Sequence, residues 1–230
     1  MIRMIVCSFY NTLIDKEDAI PVSTMLEIER IRNKGIIFSV CTNHTYQEVL
    51  SYNKDFPFLD YIVSLNGSYI YDVKKERCLS KNKISIANVK KLLKLFAPYK
   101  TYYYTQDNIY ENPEEIDTEV YKVEVELEQE NIPNLVKKMN LNTSIITLNN
   151  KKYLEITSNR STMFEGVDQI SLKNNINLSE ILVLCSNESD ISLLSNIPHS
   201  YITENSIINL NSDKKFKKVK SLESVLKRIK

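Results

Sequence analysis

The chain has 230 residues, of which 43% are hydrophobic and 26% charged, and its formal net charge is +1. This balance is ordinary for a globular protein and gives no sign of the strong basic charge that binds nucleic acid or a membrane surface. No apolar run approaches the roughly 20 residues of a membrane span, and the amino terminus lacks a signal-peptide pattern, so we expect a cytoplasmic protein.

Apolar runs and amphipathic stretches alternate in the first third of the chain, which predicts a parallel sheet with right-handed helical crossovers. Pro21 is suited to open the first helix, and Gly35 is suited to stop it. The predicted elements are a strand at 2–8, a helix at 21–35, a strand at 36–42, a helix at 45–56, a strand at 61–66 and a small hairpin at 68–72 and 77–80.

From residue 82 to residue 158 the pattern changes to that of an antiparallel sheet backed by helices. In one strand, Val123 and Val125 alternate with Lys122 and Glu124, which predicts one buried face and one face in solvent. We therefore expect this segment to be an inserted α+β cap. The predicted elements are a helix at 84–97, strands at 99–106, 108–111 and 118–127, a helix at 131–140 and a hairpin at 143–148 and 153–157.

The alternation of apolar runs and amphipathic stretches resumes after residue 158, and this indicates the fold class. Parallel strands that alternate with helices form a sheet covered on both faces, and ligands bind at the carboxyl ends of its strands. The sequence predicts an α/β fold: a Rossmann-like three-layer core with a parallel sheet at 1–81 and 159–230, plus an inserted α+β cap domain at 82–158. The remaining predicted elements are helices at 161–174, 190–196 and 219–229 and strands at 181–185 and 200–203.

The four cysteines lie far apart without CxxC spacing, which favours buried, reduced thiols. Cys7, Cys41 and Cys185 each directly precede a polar residue at the end of a predicted strand, so a thiol cluster or soft-metal site is a less favoured alternative. Small residues that fill the core face of the sheet explain this pattern more simply. The chain has three glycines, too few for a glycine-rich phosphate loop.

The first strand ends in the sequence Ser8-Phe9-Tyr10-Asn11-Thr12-Leu13. This stretch resembles the first motif of the haloacid dehalogenase superfamily of phosphotransferases, in which a strand runs into Asp-x-Asp-Gly-Thr-Leu. Thr12 and Leu13 match that motif, whereas Ser8 and Tyr10 stand where it has aspartates. The order of elements, with a cap between the second and third motifs, resembles the Cof-type branch over nearly the whole chain.

The resemblance implies that Ser8 occupies the position of the nucleophile, an aspartate that is anionic at neutral pH and also binds Mg²⁺. A serine hydroxyl needs an adjacent base; His44 is a candidate, although no third group that would orient it is evident. Tyr10 occupies the position of the general acid and base. Its ordinary pKa is near 10, so we expect it to cover or fill the mouth of the pocket instead.

Thr42 matches the Ser or Thr of the second motif, which hydrogen-bonds the phosphoryl group. Asn43 and His44 follow it, where the family often has Gly-Arg, and the loss of that cation weakens anion recognition. Asn66, directly before Gly67, fits the Asn-Gly that ends the third strand in the family. A generic turn at the end of a strand would have the same sequence.

The third motif is a lysine that neutralises the phosphate and the nucleophile. The strand that leads to it in the family ends in Leu-Glu-Ile, which is intact at residues 154–156, but the lysine's position falls at or near Met163. Arg160, three residues earlier, replaces the lysine only if the register shifts.

The fourth motif, Gly-Asp-x-x-Asn-Asp after an apolar strand, aligns with residues 185–190. Ser186 stands at the lost metal-ligand position. Asp190 remains, either as a weak candidate metal ligand beside Glu188 or as the N-cap of the following helix. Because Mg²⁺ is usually held by one or two carboxylates plus substrate phosphate, we expect no cofactor unless the chain is an active phosphatase.

The leading hypothesis is a pseudoenzyme: a haloacid dehalogenase fold without its phosphatase activity, whose core–cap cleft binds a small ligand or a protein partner. Its neutral polar groups suit a sugar better than a phosphate. One alternative is an active Mg²⁺-dependent phosphatase on sugar phosphates or other small esters, with substituted catalytic residues. Another is a structural or regulatory subunit that uses its tyrosine-rich cap as an interface. The predicted ligand-binding residues are Thr12, Thr42, Asn43, His44, Asn66 and Asn187.

Overall fold

A computed structural model describes residues 1–15, 17–54, 57–128, 134–148, 150–204, 206, 208 and 216–229. Within these residues the chain forms two separate sheets, a larger sheet of eight strands and a smaller sheet of five. No helix in the described ranges is long and apolar enough to cross a membrane.

The larger sheet has the strand order β13-β12-β11-β1-β2-β3-β4-β5. Neighbouring strands run parallel from β13 to β3, and β4 and β5 add an antiparallel edge. The predicted small hairpin is therefore part of this sheet. Its strands are β1 (Met4–Ser8), β2 (Ile37–Cys41), β3 (Tyr61–Ser64), β4 (Tyr69–Asp72), β5 (Arg77–Lys81), β11 (Ile181–Cys185), β12 (His199–Thr203) and β13 (Lys217–Val219).

Helices cover both faces of the larger sheet. Because side chains of a strand alternate between faces, Ile5 packs in one core layer and Val6 in the other. The predicted α/β fold with a three-layer core is thus confirmed. The helices on the Ile5 side are α1 (Val22–Arg32), α2 (Tyr46–Asn53) and α7 (Leu222–Leu226), and those on the Val6 side are α5 (Met163–Lys173) and α6 (Ile191–Asn196).

The smaller sheet is antiparallel, with the strand order β7-β6-β8-β10-β9. Helices α3 and α4 pack on its apolar face, where Val89 and Val136 join the core around Val123 and Val125. Its elements are α3 (Ile86–Phe96), β6 (Thr101–Tyr104), β7 (Ile109–Glu111), β8 (Lys122–Leu127), α4 (Asn134–Lys137), β9 (Leu141–Leu148) and β10 (Lys151–Ser158).

The other face of the smaller sheet does not lie in solvent as predicted. Lys122 and Glu155, on neighbouring strands of this face, are each only 1% exposed. The prediction was wrong because alternation along a strand tells which side chains share a face, and it does not tell what covers that face. Here the face is turned toward loops that follow strands of the larger sheet, including that of Asn43.

Several predicted boundaries differ from those observed. The last helix begins at Leu222 and not at residue 219, because Val219 pairs with Thr203 in the larger sheet. The strand predicted at 118–127 begins at Lys122. Parts of the helices predicted at 45–56 and 131–140 lie outside the described residues, namely 55, 56 and 131–133.

The turn after β3 has a backbone that few sequences allow. Leu65, Asn66 and Gly67 have φ values of 50°, 56° and 89°. A Cβ on Gly67 would lie 2.1 Å from the carbonyl oxygen of Thr162, so only glycine fits against this neighbouring loop. The turn directs Asn66 toward the smaller sheet, where its side chain is hydrogen-bonded.

Candidate functional site

The site is built at the carboxyl ends of three neighbouring strands of the larger sheet. Ser8, the last residue of β1, is paired with Cys41, the last residue of β2. Strand β11 lies on the other side of β1 and ends at Cys185. Parallel strands end at the same edge of a sheet, so the polar residues that follow each strand converge there.

Ser8 is fully buried, and its hydroxyl is committed to two hydrogen bonds. Its Oγ donates to Asp190 Oδ2 over 2.6 Å and accepts from the backbone N–H of Ser186 over 3.2 Å. The hypothesis that His44 activates Ser8 is not supported by these contacts. The hydroxyl proton of Ser8 points to Asp190 instead.

Asp190 is 1% exposed and accepts further hydrogen bonds from the backbone N–H of Asn187 and from the thiol of Cys41, at 3.2 and 3.7 Å. Burial raises the pKa of Asp190 to about 6, against the opposing effect of these hydrogen bonds and that of Ser8. The predicted N-cap bond to α6 is absent, since this carboxylate instead closes a capping box with Asn187 around the 3₁₀ turn at Glu188–Asp190.

Ser186, at the lost metal-ligand position, lies in a chain of hydroxyl groups. Its Oγ is 2.7 Å from Thr12 Oγ1 and 2.8 Å from Thr203 Oγ1. The carbonyl oxygen of Tyr10 accepts from Asn187 Nδ2 at 3.3 Å. Mg²⁺ prefers carboxylate oxygens in octahedral geometry, and these neutral groups satisfy one another. The residues present therefore do not fit this ion.

Of the three cysteines considered for a thiol cluster or soft-metal site, Cys41 and Cys185 converge beside Asp190, and Cys7 is not part of the group. The ligand atoms of Cys41, Cys185 and Asp190 lie within 4.8 Å of one another, and all three residues are buried. The neighbouring Cys185 and burial raise the pKa of Cys41, and burial raises that of Cys185, so both thiols keep their protons at neutral pH. Cys7 packs in the opposite core layer. All four cysteines are free.

Tyr10 takes part in a second cluster at the same edge. Its hydroxyl donates to Glu48 Oε1 over 2.5 Å, and His44 Nδ1 is 3.0 Å from Glu48 Oε2. Burial and the hydrogen bond to Glu48 raise the pKa of Tyr10, which makes this phenol a weaker acid than usual. Glu48, in the first turn of α2, was missed by sequence reasoning, although its spacing of four residues from His44, which precedes that helix, could have indicated it.

The largest polar cluster joins the two sheets through Glu155. This buried carboxylate accepts from Asn66 Nδ2 at 2.7 Å, Lys122 Nζ at 3.1 Å, Asn43 Nδ2 at 3.2 Å and Ser144 Oγ at 3.2 Å. Asn43 and Asn66 come from loops of the larger sheet, and the other three residues come from the smaller one. Two predicted ligand-binding amides therefore bind a carboxylate of the chain itself.

Lys122 is the buried cation of this cluster. Its ammonium donates to Glu124 over 2.9 Å and to the carbonyl oxygen of Asn43 over 3.0 Å, and it lies 4.2 Å from the centre of the Tyr104 ring. Burial acts to lower the pKa of Lys122, but the carboxylates of Glu155 and Glu124 outweigh it and raise the pKa. Sequence reasoning placed this side chain in solvent and so missed it.

The positions predicted for the third motif carry no cation into the site. Met163 is buried in the core at the start of α5. Arg160 is exposed, and it forms no ion pair with any residue in the described part of the chain. The register shift that would let Arg160 replace the lysine finds no support in these contacts.

Thr42 is buried and accepts from the backbone N–H of His44 over 3.1 Å.

A cleft of about 450 Å³ lies between the two sheets, and we call it the intersheet cleft. Its walls include Asn66, Glu155, Met163 and Glu188. Thr12 lines a different cavity, of about 390 Å³, together with Asn11 and Thr203. The structure therefore brings only Asn66 of the predicted ligand-binding residues into the wall of the intersheet cleft.

The family model of the haloacid dehalogenase-like hydrolases matches residues 5–131 and 97–227. Curated proteins gave no match. Among solved structures, a haloacid dehalogenase-like hydrolase from B. subtilis superposes with a TM-score of 0.82 at 14% identity, over 100% of both chains.

Two further solved structures are described as phosphatases. BT1666 from Bacteroides thetaiotaomicron has a TM-score of 0.82 at 14% identity and covers 99% of this chain and 93% of its own. The subclass IIB sugar phosphatase BT4131 has a TM-score of 0.76 at 18% identity, over 89% of this chain and 88% of its own. At such identities the likeness shows a shared fold.

Proposed function

Since this chain belongs to the haloacid dehalogenase-like hydrolase family, we propose that it keeps the family's scaffold and has lost Mg²⁺-dependent phosphatase activity. The observation that carries this proposal is the complete burial of Ser8, which stands at the position of the family's nucleophile. A nucleophile must reach its substrate, and Ser8 does not line the intersheet cleft.

The residues at the positions of the acid–base group, the metal ligand and the lysine also lack the chemistry that the family's reaction needs. Tyr10, with its raised pKa, is a poor proton shuttle, Ser186 is no carboxylate ligand, and Met163 is no cation. In comparable catalytic sets, disabling a single member costs about 10⁴ to 10⁶ in rate. Substitution of the nucleophile, the acid–base group, the metal ligand and the lysine together leaves no route of the family's type.

The charges around the intersheet cleft support the same conclusion. Among the residues that line it, the charged ones are Glu155 and Glu188, and both are acidic. The nearby cation, Lys122, is already paired with Glu155 and Glu124. A phosphate ester would therefore meet no uncommitted positive charge in the described cleft wall, whereas an uncharged polar ligand would not be repelled.

We propose that residues 82–158 act as the cap over a core formed by 1–81 and 159–230, because all five strands of the smaller sheet lie between residues 101 and 158. The intersheet cleft is then the core–cap cleft, and its retained role is to bind a small polar molecule. This assignment needs neither a metal nor a phosphorylated substrate.

A phosphatase screen tests the proposal. The purified chain is incubated with p-nitrophenyl phosphate and a set of sugar phosphates, with Mg²⁺ or with a chelator, beside BT4131 as the active control. We expect phosphate release by this chain to equal that of the buffer in both conditions. Mg²⁺-dependent release that grows with enzyme concentration would contradict the proposal.

One observation favours a second candidate, an active phosphatase with an unusual nucleophile. Asp190, whose pKa is raised to about 6, is anionic at neutral pH and accepts a hydrogen bond from the hydroxyl of Ser8, the position a general base would take. This candidate predicts that any release detected is abolished in Ser8→Ala and kept in Ser39→Ala. Ser39 is a matched control because its hydroxyl is also buried but has no hydrogen-bond partner among the described residues.

A further inference from the structure

A separate cavity, of about 460 Å³, lies between the larger sheet and its last helix, and we call it the helix–sheet cavity. It is on the Ile5 side of the sheet and toward the amino ends of the strands, since its wall includes Leu182, near the start of β11, and His199, at the start of β12. It shares no lining residue with the intersheet cleft. The helix–sheet cavity therefore lies apart from the site at the carboxyl ends of the strands.

The shortness of the last helix explains why this cavity exists. Helix α7 has five residues, which extend about 8 Å along a helix, whereas the five residues of β11 extend about 17 Å. The helix and the turn after it contribute Val225 and Ile229 to the wall, and the neighbouring strands β11 and β12 contribute Leu182 and Tyr201. Part of the apolar sheet face is thus left uncovered by α7.

The wall of the helix–sheet cavity is largely apolar. Leu182 and Val225 are 6% and 4% exposed, and Ile2 and Ile229 are half-buried against the same core layer. Apolar side chains on one concave surface are stabilised when a further apolar group removes them from water, and such surfaces mark binding sites. The cavity therefore fits the hydrocarbon part of a ligand.

The polar side chains of the wall are those of His199, Tyr201 and Arg228, and each of them can donate a hydrogen bond. Within the described part of the chain, none of these three side chains has a hydrogen-bond or ion-pair partner. The guanidinium of Arg228 keeps its positive charge at any pH that the protein experiences, and no Asp or Glu is among the described residues that line the cavity. The charge of the wall therefore favours an anionic head group and disfavours a cationic one.

We infer that the helix–sheet cavity binds a small amphipathic carboxylate, of the medium-chain fatty acid class, with its hydrocarbon chain between α7 and the sheet and its carboxylate at Arg228. The planar guanidinium matches the two oxygens of a carboxylate, and His199 and Tyr201 supply further donors in the same wall. The volume of about 460 Å³ falls in the usual range for small-molecule sites, about 300–1,000 Å³, and such sites typically combine apolar walls with a few polar groups. This inference does not depend on the role of the intersheet cleft.

The test compares three probes with one straight hydrocarbon chain by isothermal titration at neutral pH: octanoate, 1-octanol and octylamine. We expect octanoate to bind with a Kd of about 1 mM or below, as its number of atoms allows. We expect it to bind about fivefold more tightly than octanol, because its carboxylate adds an ion pair with Arg228 at an exposed site. Octylamine should bind most weakly. Absence of saturable octanoate binding, or octylamine as the tightest probe, would overturn the inference.

One variant and a matched control test the role of the charge. Arg228→Gln is expected to remove the preference for octanoate over octanol while leaving the affinity for octanol and the melting temperature unchanged, since Arg228 has no ion-pair partner to lose among the described residues. Lys227→Gln removes the neighbouring cation, which pairs with Glu223 and does not line the cavity, and should leave the preference as it is. An unaltered preference in Arg228→Gln contradicts the inference.

Methyl-group NMR of the full chain locates the bound octanoate. The methyl signals of Leu182 and Val225, in the wall of the helix–sheet cavity, are expected to shift as octanoate is added. Those of Ile145 and Ile191, in the wall of the intersheet cleft, are expected to stay in place. Shifts at Ile145 and Ile191 without shifts at Leu182 and Val225 would show that octanoate binds elsewhere and would overturn the assignment.

Discussion

Lys122 Nζ lies 3.1 Å from Glu155 Oε1, and neither side chain reaches solvent. Glu155 is directly opposite Glu124 in the antiparallel register of β10 and β8, so two carboxylates face each other across neighbouring strands. Like charges in that position repel, and Lys122 binds both. Because Glu155 also accepts from Asn43 and Asn66, the same cluster holds the smaller sheet against the larger one.

Lys122→Met is expected to destabilise the protein by about 3–5 kcal/mol, because it leaves the buried carboxylate of Glu155 and the half-buried one of Glu124 without a compensating charge. Urea unfolding measures the loss. Lys83→Met is the control, since Lys83 pairs with Glu119 at an exposed site and should cost less than about 1 kcal/mol. Adding Glu155→Gln to Lys122→Met should recover part of the stability; a double variant less stable than the single one would argue against the charge explanation.

Stability should fall as pH rises from about 4 to 6 through the contribution of Asp190. Its folded pKa of about 6 lies above the ordinary value of 3.8, so the folded protein holds the proton more tightly than the unfolded chain in this window. At low pH the protonated carboxyl of Asp190 stabilises the folded state, and this stabilisation is lost as the carboxyl ionises. A shift of this size corresponds to about 3 kcal/mol.

The measurement is the free energy of unfolding between pH 4 and pH 7 in the wild type and in Asp190→Asn. Subtracting the free energy of unfolding of Asp190→Asn from that of the wild type cancels the contributions of the other carboxylates. The difference should fall as the pH rises from 4 to 6. Asp117→Asn, at an exposed position, should leave the wild-type profile unchanged. A difference that is flat between pH 4 and pH 6 would falsify the assignment of this titration to Asp190.

Gly67→Ala is expected to destabilise more than Gly35→Ala. Both glycines have positive φ, 89° and 78°, so each substitution carries a backbone cost of about 1–2 kcal/mol. Only at Gly67 does the new Cβ also meet the backbone, 2.1 Å from the carbonyl oxygen of Thr162, whereas nothing lies within 4 Å at Gly35. Thermal unfolding of both variants checks the order, and equal losses would show that the Thr162 loop yields freely.

Thiol titration should detect one cysteine in the native protein and four after denaturation. Cys78 is half-buried, whereas Cys7, Cys41 and Cys185 are fully buried, with pKa values raised by burial and by neighbouring groups. Reaction with a chromophoric disulfide measures this, because the thiolate is the reactive form. Cys78→Ser should remove the native signal; rapid labelling of more than one thiol in the wild type is the contrary result.

The sequence by itself determined the α/β alternation, the positions of most strands and the family, because these depend on local periodicity and on motif frames of which Thr12, Leu13 and residues 154–156 remain. It also determined that Ser8, Tyr10, Met163 and Ser186 replace charged or acid–base groups. The sequence did not show whether these positions keep a catalytic role, because the hydrogen-bond partner of Ser8, Asp190, lies 182 residues away along the chain.

Only the tertiary structure decided that the polar face of β8 and β10 is buried and that Lys122 is committed to Glu155. Burial and hydrogen bonding depend on what a second sheet brings against the first. The periodicity of a single strand records which side chains share a face, and it carries no information about the surface that covers them.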